Sequence, residues 1–427
     1  MNAPQSPRKS NRGRRSAIAR PASAGGRWLN RFDALFQRML DRVDAGLEAG
    51  AIEATLPDGR TRLLGGRAPG PVADVTLHSW RAMLRLASGG SAGWYAAWAR
   101  GEWSSPDPVP LFDLFMRNRV ALGATARPKG WVRGLQRIAH SLNRNDRRRA
   151  RANIAFHYDL GNDFYAAWLD PTMSYSSAIF ADPEDPVERL EVAQMRKMRA
   201  LAARLDLKPG QHVLEIGCGW GSLACMMARD FDVRVTAITL SAEQKRVADA
   251  SIAEMGLGDR VAVEIVDYRD VRGSFDAVVS VEMVEAVGRE YWHAYLDAIA
   301  ARLKPGGRAA LQYISIADDI FDAYADGVDF IQRHVFPGGM LLSESRFSAL
   351  AEACGLRWAE PMHFGRHYAT TLMLWRQRFD AALERGQLPA DFDRKFVDLW
   401  RYYLMYCEGG FRGGGIDVAQ VTLFKEQ

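Results

Sequence analysis

The chain has 427 residues, enough for two or three folding units at roughly 100 to 200 residues each, and 48% apolar with 25% charged residues is a globular composition. It contains no uninterrupted apolar run of about 18 residues, which excludes a membrane-spanning helix by hydropathy. The four cysteines, at 218, 225, 354 and 407, lack the paired spacing of a zinc site or a disulfide scaffold, so no metal and a reducing, cytoplasmic setting are expected. The net charge of +5 is concentrated: residues 1–20 carry six basic side chains and no acid, and residues 127–151 carry nine against Asp146 alone.

In chain order, residues 1–26 read as a disordered basic tail, Arg-rich like a transit peptide but without an apolar core long enough for secretion. Residues 27–126 read as a small mixed accessory domain: the amphipathic helix FDALFQRMLDRVDAGLEAG, a strand-like AIEATLPDGRTRLLG with an Asp-Gly turn, then VADVTLHSWRAMLRLASG, with GWYAAWARGEW and PVPLFDLFMRN as further helices. Nothing there assembles a catalytic set. Residues 127–152 form a basic linker in which Trp131, Leu135, Ile138 and Leu142 recur at helical spacing among arginines. Two readings stand for it: a solvated helix joining two domains, or a segment lying on an anionic surface, since such runs seek phosphates.

From 153 to 427 the texture becomes alternating strands and helices, the pattern of a doubly wound parallel sheet. The strand Val213 to Ile216 runs into a turn containing Gly217, Gly219 and Gly221 and then a helix. Glycines let the backbone approach a ligand at the carboxyl end of a first strand, and Glu215 can accept hydrogen bonds from a cationic or hydroxylated cofactor. A glycine triplet alone also fits an ordinary tight turn. VRVTAITLSAEQ, RVAVEIVDYRD, FDAVVSVEMVEAVG and LKPGGRAALQYISI supply four more β/α units. Five such units in this order resemble the class I methyltransferases that use S-adenosylmethionine. The expected fold is thus α/β, a Rossmann-like doubly wound sheet preceded by a smaller mixed α/β N-terminal domain. After the second strand, where such enzymes usually place an acid for the ribose, stand Thr239, Leu240 and Ser241, then Glu243 and Gln244. Asp267, ending the third strand, is placed to accept from the adenine amino group or to cap a helix.

The segments FHYDLGNDFYAAWLDPTMSYSSAIF, LEIGCGWGSLA, ITLSAEQ, SVEMVEAVG, DFIQRHVFPGG, FGRHYATTLMLW and RYYLMYCEGGFRGGG follow one another in order. Together they resemble the cyclopropane-fatty-acyl-phospholipid synthases and the mycolic acid cyclopropane synthases and methyltransferases. The resemblance implies cofactor contacts at Tyr175, Ser176, Gly217, Gly219, Thr239, Leu240 and Gln244, and a polar catalytic pocket containing Glu285 and Tyr368. In many members that pocket holds a bicarbonate ion beside a cysteine and a histidine; the matching positions here are Ser177 and Gln312. The C-terminal cysteine noted in the family matches Cys407, whose apolar sequence neighbours also fit an inert buried thiol.

The implied chemistry is methylation of a cis double bond in an acyl chain of a membrane phospholipid, closing a cyclopropane ring, with methyl or methylene branching as the alternative product. An isolated alkene is a poor nucleophile, so a sulfonium methyl must serve as electrophile in a dry site, and a carbocation must survive until a base removes a proton. Glu285 is the expected base, directly or by holding bicarbonate. Tyr158, Phe164, Tyr175, Tyr313 and Tyr368 are the aromatic faces expected near the cation. An anionic membrane surface, on the cytoplasmic face of the cell membrane, is the expected partner of the basic linker. Nucleic acid is not expected, because base-stacking and recognition-helix signatures are missing. A homodimer is compatible with the sequence.

Overall fold

The computed structural model describes residues 33–123, 160–185 and 187–426. The basic tail 1–26, the linker 127–152 and Tyr158 lie outside the described residues.

Apolar residues at helical spacing make Asp33–Gly46 a helix that turns Phe36 and Leu40 inward. It covers a four-stranded sheet of β1 (Ala51–Thr55), β2 (Thr61–Gly65), β3 (Val72–Leu77) and β4 (Trp103–Ser104), ordered β2-β1-β3-β4. β1 and β2 form an antiparallel hairpin from Ala51↔Gly65 to Thr55↔Thr61, and Gly59 supplies the left-handed residue of its turn at φ +87°. β3 runs parallel to β1, because β2 ends beside Ala51 and the 66–71 loop crosses to the other edge of β1 at that same end. The helix Arg81–Ala99 breaks at Gly90, where φ is +55°. Phe36 stacks on Trp80 at the start of the helix Arg81–Ala99, and Trp94 on Trp103 of β4, so aromatic pairs hold helix to helix and helix to sheet.

The larger sheet has seven strands: β5 (His212–Ile216), β6 (Arg234–Thr239), β7 (Val261–Ile265), β8 (Phe275–Val281), β9 (Leu303–Ile316), β10 (Leu356–His363) and β11 (Ile416–Lys425). Their order is β10-β11-β9-β8-β5-β6-β7. β9 through β7 are parallel, while β11 inserts antiparallel between β9 and β10. The five parallel strands are the five read in the sequence, and helices follow their carboxyl ends. Strand order reverses beside β5, which lies between β6 and β8, and such a reversal opens a crevice at the carboxyl edge.

Two long C-terminal helices, Gly365–Glu384 and Arg394–Arg412, tie the two parts together. Glu408, buried on the second, accepts from Arg376 on the first and from Arg412 one turn on. Gly409 and Gly413 let the second helix approach Val109–Arg117 of the N-terminal part so closely that a Cβ on Gly409 would overlap the Cβ of Phe112. Tyr402 packs against Tyr95, Phe112 and Phe330 at ring distances of 4.8–5.3 Å, so one aromatic core runs from the N-terminal part into the C-terminal helices. No helix among the described residues is long and apolar enough to cross a membrane.

Candidate active site

At the carboxyl ends of β5, β6 and β8 lies a cavity of about 210 Å3. Tyr175, Ser176, Glu215, Gly217, Gly219, Thr239, Leu240, Gln244 and Asp267 all line it. Backbone conformation explains the glycines. Gly217 sits at φ +79°, and a Cβ there would lie 2.5 Å from Met283 Cγ; Gly219 sits at φ +52°, and a Cβ there would meet nothing within 4 Å. The second position therefore faces the open cavity. On either side wait buried groups without hydrogen-bond partners: Glu215 Oε2, an acceptor, and Gln244 Nε2, a donor. Gln244 is fixed by Thr239, whose hydroxyl donates to Gln244 Oε1 at 2.7 Å, and by Ser241, which caps the following helix. The orphaned acceptor and donor flanking a glycine turn suit a ligand with both amine and hydroxyl groups, as S-adenosylmethionine has.

The segment 172–176 forms the opposite wall. Asp170 holds its turn by accepting from Thr172 N and Oγ1, and Gln194 donates to Ser176 O at 2.8 Å. Lys197, buried on the helix Leu190–Ala203, donates to Ser176 Oγ at 2.5 Å and also lines the cavity. Burial pushes its ammonium down to about 8, while Glu282, Asp170 and Glu215 oppose the shift. Burial likewise pushes Glu215 up to about 8, against the pull of Lys197. Asp267 faces the cavity with both oxygens engaged by Arg269, at 2.6–3.0 Å, and accepts from Arg269 N as the cap of a short 3-10 turn. Of the two roles expected for Asp267, the cap is formed, and the residue also lines the cavity.

The catalytic pocket expected from the sequence forms around a residue that sequence reading passed over. Glu282 follows β8 directly, anchored by its N–H to Gln312 O at 2.7 Å. Its Oε1 accepts from Ser177 N at 2.9 Å and Gln312 Nε2 at 2.8 Å, and its Oε2 accepts from Tyr368 Oη at 2.7 Å. The expected residues Ser177, Gln312 and Tyr368 thus come together on Glu282. The Ser177 hydroxyl turns away and donates to Ala178 O, and Gln312 Oε1 accepts from Gln420 on β11. Neither has a donor left for a dissolved anion, so these residues do not fit the bicarbonate the resemblance implies.

Glu285 is one helical turn beyond Glu282. One oxygen accepts from Ile314 N and the other, Oε2, is buried without a partner. Burial, reinforced by the charge of Glu282, pushes it up to about 8. The shift favours its neutral form.

A second cavity, of about 670 Å3, runs between the N-terminal part and the C-terminal helices. Its walls are mostly apolar: Met83, Leu86, Trp94 and Phe112 on one side, Ile314, Phe336, Leu372 and Phe411 on the other. That volume lies within the roughly 300–1,000 Å3 of small-molecule sites. Glu285, Tyr368 and Cys407 line it, whereas Ser177 and Gln312 line neither cavity. Burial pushes the Cys407 thiol up, so it lines the wall as a neutral apolar group rather than a nucleophile. Tyr175, Glu282 and Ala286 line both cavities, which meet there. Of the aromatic faces expected near the cation, Tyr175 and Tyr368 reach the second cavity. Phe164 is buried among Phe392, Phe396 and Trp400, and Tyr313 donates to Glu344 on the far side of the sheet. Tyr403, missed in the sequence, joins the site by bonding Tyr175 at 2.9 Å between hydroxyls. His293, Asp297 and Cys354 bring ligand atoms within 4.8 Å of one another at the surface, outside both cavities.

A doubly wound sheet with a glycine turn at its switch point, an unpartnered acid and amide around it, and an apolar chamber beyond defines a class I S-adenosylmethionine-dependent methyltransferase. Residues 145–421 match the family described as mycolic acid cyclopropane synthetase, and the chain belongs to that family. It is 39% identical over 348 residues to the tuberculostearic acid methyltransferase UfaA1 of Mycobacterium tuberculosis, covering 80% of this chain and 81% of the relative. It is 34% identical over 362 residues to the cyclopropane-fatty-acyl-phospholipid synthase of Escherichia coli K12, covering 84% and 89%. The crystal structure of mycolic acid cyclopropane synthase CmaA1 with SAH and CTAB superposes with a TM-score of 0.60 at 31% identity, covering 64% of this chain and 98% of that one. The protein is accordingly an S-adenosylmethionine-dependent lipid methyltransferase of the cyclopropane synthase type.

Proposed function

We propose that this enzyme methylates the cis double bond of an unsaturated acyl chain carried by a membrane phospholipid and closes the product to a cyclopropane. The reading rests on one observation above all: the cofactor cavity and the apolar chamber adjoin, sharing Tyr175, Glu282 and Ala286 in their walls. S-adenosylmethionine supplies the electrophilic methyl. Glu215, Gln244 and the Gly217–Gly219 turn hold its polar ends, and the chamber strips water from the acyl chain and brings its double bond to the junction. Apolar walls keep water from trapping the carbocation, while the faces of Tyr175, Tyr368, Tyr403 and Phe411 stabilise it. Loss of a proton from the new methyl then closes the ring.

Branching is the second reading, favoured by the 39% identity to an enzyme named as a methyltransferase rather than a synthase of rings. A hydride shift before proton loss gives a methylene branch from the same cation. The phospholipid source is supported by the Escherichia coli relative's name and by the basic run 127–151. At about 1 kcal/mol per basic residue near an anionic surface, that run is strong enough to dock the enzyme even after discounting.

The test is incubation of purified enzyme and S-adenosylmethionine with vesicles of dioleoyl phosphatidylglycerol, with proton NMR of the released fatty acids. Upfield ring-methylene protons are expected. Olefinic methylene signals establish the branching reading, and an unchanged lipid refutes both.

A further inference from the structure

We propose that Glu282 is the enzyme's own proton acceptor, a carboxylate built into the chain at the junction of the two cavities, so that turnover needs no bicarbonate or other dissolved anion. The inference rests on the methyl-transfer reading above and deepens it.

Position is the first argument. Among the described residues, Glu282 is the only carboxylate that lines both cavities. Glu215 and Asp267 face only the cofactor cavity, and Glu285 and Asp329 only the apolar one. A methyl transferred between the adjoining cavities is handed over beside the wall to which Glu282 belongs.

Preorganisation is the second. Three donors from three separate segments converge on Glu282: Ser177 N before the helix Leu190–Ala203, Gln312 Nε2 on β9 and Tyr368 Oη on the helix Gly365–Glu384. A carboxylate accepts all three, and hydrogen bonds to a charged acceptor are roughly twice as strong as those to a neutral acid. Burial pushes the Glu282 carboxyl above the usual range, while the bond from Tyr368, the charge of Lys197 and the bonds from Ser177 and Gln312 pull the other way. The neighbouring Glu285 has no side-chain donor, and one of its oxygens is left without a partner. Of the two glutamates, Glu282 has by far the richer donor set for a carboxylate.

The third argument is conformational. Glu282 adopts φ +48°, a left-handed backbone that costs an L-residue energy and that glycine takes freely. A side chain kept where glycine would be easier implies that the carboxylate itself is used. It also fills the donor set on Ser177 and Gln312 that a free anion would need.

The step balances as follows. The alkene π pair forms a bond to the methyl carbon as the carbon–sulfur bond breaks, releasing the neutral thioether and leaving a cation on the adjacent carbon. Glu282 takes a proton from the new methyl, and that C–H pair closes the ring or, after a hydride shift, forms the methylene double bond. The proton passes from Glu282 to water, through the Tyr368 hydroxyl or once the product has left.

The experiment follows label from methyl-labelled S-adenosylmethionine into dioleoyl phosphatidylglycerol vesicles, in buffer freed of carbon dioxide and with bicarbonate restored. Wild-type rates should agree between the two conditions. Glu282→Gln should lose about 10²-fold or more in turnover, the typical worth of a general base, while retaining SAH affinity by calorimetry. Glu282→Gly, which relieves the backbone, should also be slow, and millimolar formate or bicarbonate should restore turnover by entering the vacated site. A wild-type rate that collapses without bicarbonate and returns with it overturns the proposal. So does wild-type turnover in Glu282→Gln, or in Glu282→Gly without added anion. Lipid left unlabelled by the wild-type enzyme in both buffers contradicts the functional reading itself, and the inference falls with it.

Discussion

Glu282 and Glu285 are three residues apart, yet their hydrogen-bonding surroundings differ sharply. Glu282 receives three donors from side chain and backbone, whereas Glu285 faces an apolar wall with one oxygen unpartnered. Glu285 is pushed up to about 8 in the folded protein against roughly 4.3 in an unfolded chain. The folded state therefore binds more protons between those values, so stability present at low pH is lost as pH rises toward 8. Glu285→Gln should flatten the fall of Tm with pH over that window. The slope should not vanish, because Glu215, also raised to about 8, titrates in the same range. An unchanged profile contradicts the neutral state assigned to Glu285. Gly219→Val fills the cavity where its Cβ would point and strains a backbone at φ +52°, so SAH binding should be abolished while circular dichroism stays near wild type. Retained micromolar binding would exclude this cavity as the cofactor site. Much of the cofactor cavity was legible in the sequence because its residues sit at strand ends, where a glycine turn, Gln244 and Asp267 follow apolar runs at fixed offsets. Glu282 and Lys197 were not. An acid inside SVEMVE reads as one polar residue at a strand end, and a lysine in VAQMRKMRALAA reads as solvated; only tertiary packing buries them.

At the scale of elements, the five parallel strands follow from their continuous apolar runs, since both faces of such a sheet are covered. β10 and β11 escaped that reading. β10 is an edge strand, largely exposed beyond Leu356, interrupted by Pro361 and a register shift against β11. β11 comes after a helix hairpin and enters the sheet antiparallel, outside the β/α rhythm, yet it carries Gln420 to Gln312 and so helps orient the Glu282 site. The glycines of CEGGFRGGG have a packing reason that no local pattern announces. Gly409 and Gly413 leave no room for a Cβ against Val109–Arg117. Gly409→Val should overpack this contact by about 1–3 kcal/mol and lower Tm by several degrees. It should also reduce lipid turnover more than SAH affinity, because it moves a wall of the apolar chamber and not of the cofactor cavity. Equal losses of both would argue against the separation of the two sites.

Over the whole molecule, the N-terminal part is a wall of the chamber rather than an appendage, which its sequence, empty of catalytic residues, did not reveal. Met83, Leu86, Trp94 and Phe112 face Tyr368 and Phe411 across it. The basic run between the two parts is the proposed membrane contact. Changing Arg147, Arg148 and Arg149 to Glu should weaken binding to anionic vesicles, with a loss that shrinks at high salt and spares turnover on detergent-dispersed lipid. Unchanged vesicle affinity in that variant returns the run to a solvated linker. The central claim, that a sulfonium methyl is joined to an alkene carbon and then gives up a proton, is tested most directly with S-adenosylmethionine carrying a fully deuterated methyl. Mass spectrometry of dioleoyl phosphatidylglycerol after turnover should show acyl chains heavier by one carbon that have lost a single deuteron from the transferred group, and a distearoyl control should gain nothing. Retention of all the transferred deuterium, or equal labelling of the saturated lipid, would contradict the account.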